Sequence, residues 1–349
     1  MKILAPVDSA KEAKLLIKSG AEELFCGYIP DEWVKKFKII YGERVQTKRL
    51  TELVTVSINK RTNLDGNVRT NEELRGIASV VNTMGGKLFV TLNAFYYTED
   101  QYQYLEEYIN ELSDAGVYGL IITDVALIRF VKEKFPNMYI VLSCCNQVAN
   151  SYSASFFEKL GVDRITFPRH VTVDEIIDVT NNVPTVDYEC FVLDSKCIYD
   201  DGNCRAMHNF GHFCMEQWDN DYYSTKNGDC VNYSEVCKVK SNESDFMNWS
   251  KPYLASNSKN NGWFAISCGA CAVPLLIKHS KISTLKIAGR GLDTNSKIHM
   301  VRMVKKMIDI AKDDIEAIKK EKEYISKVVG VHEMCDLQSR CLMPSRHYN

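Results

Sequence analysis

Short apolar runs alternate with longer amphipathic segments along most of the chain. The runs are rich in β-branched and aromatic residues, and their lengths are typical of buried strands. Nearly every position in a run is apolar, so both faces of each strand are expected to be covered, as in a parallel sheet. Eight strands are predicted in this way, at residues 2–7, 23–28, 87–94, 119–124, 139–144, 164–169, 186–193 and 284–290.

The segments between these strands carry helix signals. One helix is expected to begin at the capping residue Thr98 and end at Gly116, and another to begin at Thr172 with an acidic first turn. A third is expected from about residue 295 to residue 325. The alternation predicts a TIM-barrel-like (β/α) barrel, with an open doubly wound sheet as the main alternative. No glycine-rich phosphate loop follows the first strand, which weakens that alternative.

Two regions interrupt the alternation. Residues 29–70 form a charged excursion with a strand-like run of their own at 54–59. The second region is polar, has little periodicity and is long enough that a functional or ligand-stabilised role is expected. The predicted domains are therefore a barrel made of residues 1–194 and 273–329, a cysteine-rich insert at 195–272 between the last two strands, and an irregular tail at 330–349.

The composition is that of an ordinary globular protein, with 45% hydrophobic and 25% charged residues. The formal net charge is -2, so the chain as a whole has no excess of basic residues that would indicate nucleic-acid binding. Binding of RNA by a local basic patch stays open. The N-terminal apolar run is too short for a signal peptide, and no apolar stretch has the length of a membrane span. A cytoplasmic location is therefore expected.

The chain has 13 cysteines, and their uneven distribution is informative. Cys26 and Cys190 lie within predicted strands and fit inert buried thiols, whereas Cys144 and Cys145 lie at a strand end and fit that interpretation less well. A further group lies in the polar insert or at its end, where no apolar core is expected to hide thiols. Because cytoplasmic thiols stay reduced, this group indicates a metal ion or a cluster.

The spacing within this group leaves the metal open. Thiolates are soft ligands that select zinc or iron–sulfur clusters. Cys197 and Cys204 are separated by six residues, which is looser than the paired spacing typical of zinc, and clusters tolerate such irregular spacing. Gly202 between them would permit a turn that directs both sulfurs inward. From these residues alone, zinc and an iron–sulfur cluster remain comparable alternatives.

A series of motifs, in order along most of the chain, resembles the U32 family of peptidases. The most specific is a Glu-x-Phe at Glu189, followed at a fixed spacing by the C-x4-G-x-C of Cys197 to Cys204. The other motifs are LAPVDS at 4–9, GGKLFVTLNAF at 85–95, LIITD at 120–124, FPNMYIVLSCCNQVANS at 135–151, GVDRITFPRH at 161–170 and LKIAGR at 285–290.

The resemblance implies a TIM-barrel-like core and a [4Fe–4S] cluster. The ligands carried over by position are Cys197, Cys204, Cys214 and Cys271, with Cys230 and Cys268 as reserve candidates. The chain also departs from the family pattern in four motifs. It has Leu193-Asp194 in place of His-Gly, His170 and Ala288 each in place of Glu, and Cys145 in place of Gln. These changes predict a divergent member with an altered substrate or mechanism, or a partner subunit.

The functions implied by the resemblance fall into several classes. We favour an oxygen-independent hydroxylase of an RNA base, a small aromatic or a peptide, in which prephenate supplies the oxygen. The alternatives are a U32-type peptidase, a non-catalytic subunit of a heteromeric complex and a zinc-stabilised binding protein. Proteolysis has no need of a cluster, and the sequence contains neither HExxH nor GxSxG. A nucleophile at Cys145 or Cys268 would need a base that the sequence does not identify.

Three side chains at the carboxyl ends of predicted strands are the candidate catalytic residues. Arg169 and Arg290 would form a fork for an anionic, prephenate-like cosubstrate, or else a salt bridge that closes the barrel mouth. His170 stands where the family has an acid, with a structural role as the alternative. Asp124, at another strand end, is expected to cap the following helix.

Overall fold

A computed structural model describes residues 1–39, 54–55, 58–60, 66–193, 201–202, 223–226, 229–232, 268–313 and 342. It contains a closed barrel of parallel strands with helices between them. The barrel strands are β1 (Lys2–Pro6), β2 (Glu23–Cys26), β5 (Lys87–Leu92), β6 (Gly119–Ile122), β7 (Tyr139–Leu142), β8 (Arg164–Thr166), β9 (Asp187–Leu193) and β12 (Ile282–Ile287).

Around the barrel the strands follow the order β1–β12–β9–β8–β7–β6–β5–β2. Each of the eight predicted strands overlaps one of these barrel strands, and the last strand begins two residues earlier than predicted. The prediction of a TIM-barrel-like fold is therefore confirmed, and the alternative of an open sheet is wrong. The polar insert leaves the barrel after β9 and returns before β12, between the last two strands. It contains a hairpin that the sequence pattern does not predict, formed by β10 (Tyr223–Lys226) and β11 (Asp229–Asn232).

The helices cover the outer face of the barrel. Their bounds are α1 (Ala10–Lys18), α2 (Asp31–Phe37), α3 (Asn71–Thr83), α4 (Glu99–Asp114), α5 (Val125–Lys134), α6 (Ser151–Lys159), α7 (Val173–Asn182), α8 (Val273–His279) and α9 (Thr294–Asp313). The remainder of the helix predicted over 295–325 lies outside the described residues. The strand-like run at 54–59 contributes β4 (Val54–Thr55), which pairs with β3 (Lys38–Ile39) in a separate antiparallel sheet.

Local capping sets where several helices begin. The Thr172 and Glu175 side chains and backbones exchange hydrogen bonds, which satisfies two amides at the start of α7. Asp124 accepts from the amides of Ala126 and Leu127, at 2.8 and 3.3 Å, so the predicted cap of α5 is confirmed. None of the helices in the described ranges is long and apolar enough to cross a membrane.

A buried ion network crosses the inside of the barrel. Arg164 of β8 donates to both carboxylate oxygens of Glu23 on β2, at 2.6 and 2.9 Å, and to Glu189 of β9 at 3.2 Å. The Lys286 ammonium, on β12, reaches Glu189 at 2.9 Å. Burial opposes ionisation of Glu189, but Lys286 and Arg164 outweigh it and lower the pKa of this carboxyl. The neighbouring strands β8, β9 and β12 are thereby joined to one another and, through Glu23, to β2.

Removal of Arg164 is expected to destabilise the barrel strongly. Arg164→Met leaves two buried carboxylates without their shared cation, which typically costs about 3–5 kcal/mol. The unfolding midpoint in urea should fall accordingly. Arg129→Met is the matched control, because the Arg129 side chain is 75% exposed in a surface pair and its loss should leave the midpoint unchanged. Equal midpoints for both variants would show that the network contributes no net stability.

Candidate functional site

The carboxyl ends of β7, β8, β9 and β12 collect the side chains that could perform chemistry. This end of a (β/α) barrel is where catalytic residues lie in such folds. Cys144 and Cys145 follow β7 in a one-turn 3₁₀ helix, Cys144–Asn146. Arg169 follows β8 and Arg290 follows β12. We call this region the barrel mouth.

Asp201 attaches the insert to the barrel mouth. Its carboxylate forms an ion pair with the Arg169 guanidinium and accepts from the Arg169 amide at 3.2 Å. Its backbone carbonyl accepts from the Lys60 ammonium at 2.7 Å. The Arg169 guanidinium also lies 3.8 Å from the centre of the Phe191 ring. The Arg169 guanidinium is therefore engaged in an ion pair with Asp201, and a role for it in binding an anion stays a prediction.

Gly202 lies too close to the strand-end turn for any side chain. A Cβ at this position would stand 2.5 Å from Cγ of Gln147 and 2.6 Å from the carbonyl oxygen of Cys145. Gln147 itself adopts a left-handed conformation, with φ 53°. Residues 201–202 form a turn, as the sequence suggests, and the glycine is also required because the Cys145 carbonyl and the Gln147 side chain approach it so closely.

Arg290 occupies a separate part of the barrel mouth. Its guanidinium donates to Thr91 at 3.1 Å and to Asn67 at 3.2 Å. Gly27 makes room for this arrangement, because a Cβ there would overlap the Arg290 and Asn67 side chains. The third candidate, His170, is exposed in the turn that follows Arg169.

A lysine that the sequence does not single out lies beside Cys145. The Lys60 ammonium is 3.5 Å from Sγ of Cys145, although 85 positions separate the two residues in the chain. A hydrogen bond from Cys144 lowers the pKa of Cys145 most, and the charge of Lys60 adds to this, giving about 6 despite burial. Cys144 shows the converse: its role as hydrogen-bond donor, together with burial, raises its pKa. No local signal links Lys60 to Cys145, so only the fold identifies this pair.

The predicted cluster ligands fall partly within the described residues. Cys271 lies in a one-turn 3₁₀ helix, Ala270–Ala272, and Cys268 pairs with Leu193 at the end of β9. Gly269 donates from its amide to the carbonyl of Val192 at 2.8 Å. Cys230 lies in strand β11. The other predicted ligands, Cys197, Cys204 and Cys214, lie outside the described residues.

The segment around Cys268 therefore returns to the strand from which the Cys197 segment departs. Leu193, the last residue of β9, precedes Cys197 by four positions and pairs with Cys268. Within the part of the chain that the structure describes, no group of three or more His, Cys, Asp or Glu side chains forms a metal site. The cluster consequently stays a prediction.

Comparison with known proteins identifies the family. The profile of peptidase family U32 matches residues 8–336, and the chain belongs to this family. The tRNA hydroxylation protein P1 of Bacillus subtilis is 24% identical over 93% of this chain and 67% of its own. The tRNA hydroxylation protein P of Escherichia coli is 28% identical over 35% of this chain and 27% of its own. This chain thus spans from about a quarter to two thirds of these relatives.

Among solved structures, the U32 peptidase Mk0906 is similar at 13% identity and a TM-score of 0.44. The match covers 83% of this chain and 93% of that structure.

Loss of the Arg169 guanidinium is expected to loosen the attachment at Asp201. A hydrogen-bonded, partly buried ion pair of this kind contributes about 1.5–3 kcal/mol. In Arg169→Met, the backbone amides of the peptide that contains Asp201 and Gly202 should exchange with deuterium at least about tenfold faster. Arg302→Met, on the exposed side of α9, is the control and should leave this exchange unchanged. Equal exchange in both variants would contradict the attachment.

A side chain at position 202 is expected to have the same effect through steric overlap. Gly202→Ala forces the two backbones apart, and the same peptide should again exchange faster. Gly76→Ala provides the control, since a Cβ there meets its nearest atom at an ordinary 3.7 Å. A Gly202→Ala protein with native exchange rates would show that this close approach does not exist in solution.

Proposed function

We propose that this chain binds a [4Fe–4S] cluster and acts in the oxygen-independent hydroxylation of a base in tRNA. The observation that carries the proposal is that Asp201 and Cys268, from opposite ends of the insert, both contact the barrel mouth. Asp201, which stands between Cys197 and Cys204 in the sequence, forms an ion pair with Arg169. Cys268, three residues before Cys271, pairs with the end of β9. The names of the relatives suggest hydroxylation and tRNA, and the oxygen-independent course is what the family resemblance implies.

The donor set fits such a cluster chemically. Cys197, Cys204, Cys214 and Cys271 would provide four thiolates, the ligands that [4Fe–4S] clusters take in proteins. A bound cluster would supply one-electron redox chemistry at the barrel mouth. Under this proposal, Arg169 positions the segment that carries two of the ligands, because its guanidinium is engaged by Asp201.

Arg290 is the side chain that we assign to an anionic, prephenate-like cosubstrate. A guanidinium presents a planar fork that matches a carboxylate, and its contacts with Thr91 and Asn67 fix its orientation. His170 lies exposed at the rim, where a substrate as large as tRNA would approach. A partner protein would add to this surface in a heteromeric complex. The net charge of -2 implies that any contact with tRNA is local.

The metal content tests the first half of the proposal. Protein purified without oxygen should be brown, with about four irons and four sulfides per chain. Cys197→Ala should lose both, whereas Cys190→Ala, which removes a buried thiol of β9, should keep them. A colourless protein with about one zinc per chain would refute the cluster and make the insert a structural zinc element.

The hydroxylation reaction tests the second half. Unmodified tRNA, incubated without oxygen with the cluster-loaded protein and prephenate, should yield a nucleoside that has gained one oxygen atom. Arg290→Met should raise the prephenate concentration needed for half-maximal rate, while Arg302→Met should not. A loaded protein that leaves tRNA unchanged but cleaves a peptide would overturn the hydroxylation and favour the peptidase alternative.

A further inference from the structure

Cys145 differs from the other thiols of the barrel. Cys26 and Cys190 are buried within strands, as the sequence predicts, and burial raises the pKa of Cys26 to about 12. Burial raises the pKa of Cys190 as well. Neutral thiols of this kind are inert packing groups. Cys145 instead lies at the carboxyl end of β7, beside the Lys60 ammonium at 3.5 Å.

The groups around Cys145 are arranged to hold a negative charge. The thiol of Cys144 donates to it, the Lys60 ammonium adjoins it, and the Ser143 hydroxyl donates a further hydrogen bond. Asp201 is the acidic group that opposes them, together with partial desolvation. Arg169, paired with Asp201, offsets part of that opposing charge. The balance favours the thiolate, the nucleophilic form of cysteine.

A second observation points to a ligand at this place. Nε2 of Gln147 is buried and has no hydrogen-bond partner among the described residues. Its side chain adjoins the Cys145 backbone, since both lie against Gly202. A buried amide donor without an acceptor is costly, and an acceptor oxygen of a bound molecule would satisfy it.

We propose that Cys145 is a nucleophilic thiolate, held by Lys60, which forms a covalent adduct with a conjugated carbonyl compound entering the barrel mouth. The sulfur attacks the β-carbon, so that a C–S bond forms and the electron pair of the C=C bond moves to the α-carbon and the carbonyl oxygen. The Lys60 ammonium gives the proton that completes the addition and becomes a neutral amine. Gln147 donates a hydrogen bond to the carbonyl oxygen. The step needs neither oxidant nor reductant.

This proposal is independent of the cluster and of tRNA. It rests on side chains of the turn that follows β7 and on Lys60, and no predicted cluster ligand takes part in it. The family pattern has a glutamine in place of Cys145, so the thiolate is a feature of this chain itself. Packing alone does not explain why Lys60 lies beside Cys145, because a lysine beside a buried thiol adds a desolvated charge.

The test is the pH dependence of labelling with N-ethylmaleimide, itself a conjugated carbonyl. The intact protein is labelled briefly from about pH 5 to pH 9, and modification of each cysteine is measured by peptide mass spectrometry. The labelling rate of Cys145 should rise with a midpoint near 6. Cys190 should stay unlabelled throughout, as the internal control for folded protein.

Two lysine variants distinguish the effect of the Lys60 charge on Cys145 from simple exposure of the thiol to the reagent. Lys60→Met should move the midpoint of Cys145 upward by at least about one pH unit, and Lys60→Arg should keep it acidic. A wild-type midpoint above about 8, as for an ordinary thiol, would overturn the proposal. The proposal would also be overturned if Cys145 stayed unlabelled at every pH, or if Lys60→Met left the labelling midpoint of Cys145 unchanged. The wild-type profile decides the matter even if Lys60→Met does not fold.

Discussion

The ion network around Arg164 is the constraint on which the rest of the barrel depends. In a small closed barrel the interior is filled by side chains, and here that interior contains two carboxylates and two cations that water cannot reach. Each charge is tolerable only while its partners stay in place, because an isolated buried ion is far costlier than a missing apolar contact. The relative positions of β2, β8, β9 and β12 are thereby fixed together. Three of these strands, β8, β9 and β12, lead directly into the barrel mouth.

Sequence patterns predicted the barrel because every strand carries its own local signal. The runs around Leu120 and Ile140 are apolar at each position, and nothing distant is needed to recognise them. The interior charges were not anticipated, since Glu23 and Arg164 stand at the edges of their runs and resemble ordinary solvent-exposed ends. Lys60 was missed for a related reason: it lies in a charged excursion, and its neighbour Cys145 is distant in sequence. Pairings of this kind depend on barrel closure.

The barrel mouth contains two arrangements that are chemically distinct. On one side, Arg290 is oriented by neutral oxygens from Thr91 and Asn67. On the other, Cys145, Lys60, Arg169 and Asp201 form a set in which opposite charges are matched at close range. The first suits reversible recognition of an anion, whereas the second suits a group that must remain reactive yet shielded. A divergent member of a family would arise in this way, through replacement of one polar side chain on an unchanged scaffold.

Asp201 and Cys145 share Lys60, and this has a thermodynamic consequence. The ammonium binds the backbone of the insert and the thiolate at the same time, so the two interactions belong to one equilibrium. If Asp201 moves away from the barrel mouth, its negative charge no longer opposes the Cys145 thiolate. The Lys60 ammonium then interacts with the thiolate alone. Conversely, a neutral adduct on Cys145 changes the free energy of the contact between Lys60 and Asp201. The change equals the effect of that contact on adduct formation, because such linkage is reciprocal. The occupancy of the thiol and the attachment of Asp201 are therefore coupled through Lys60.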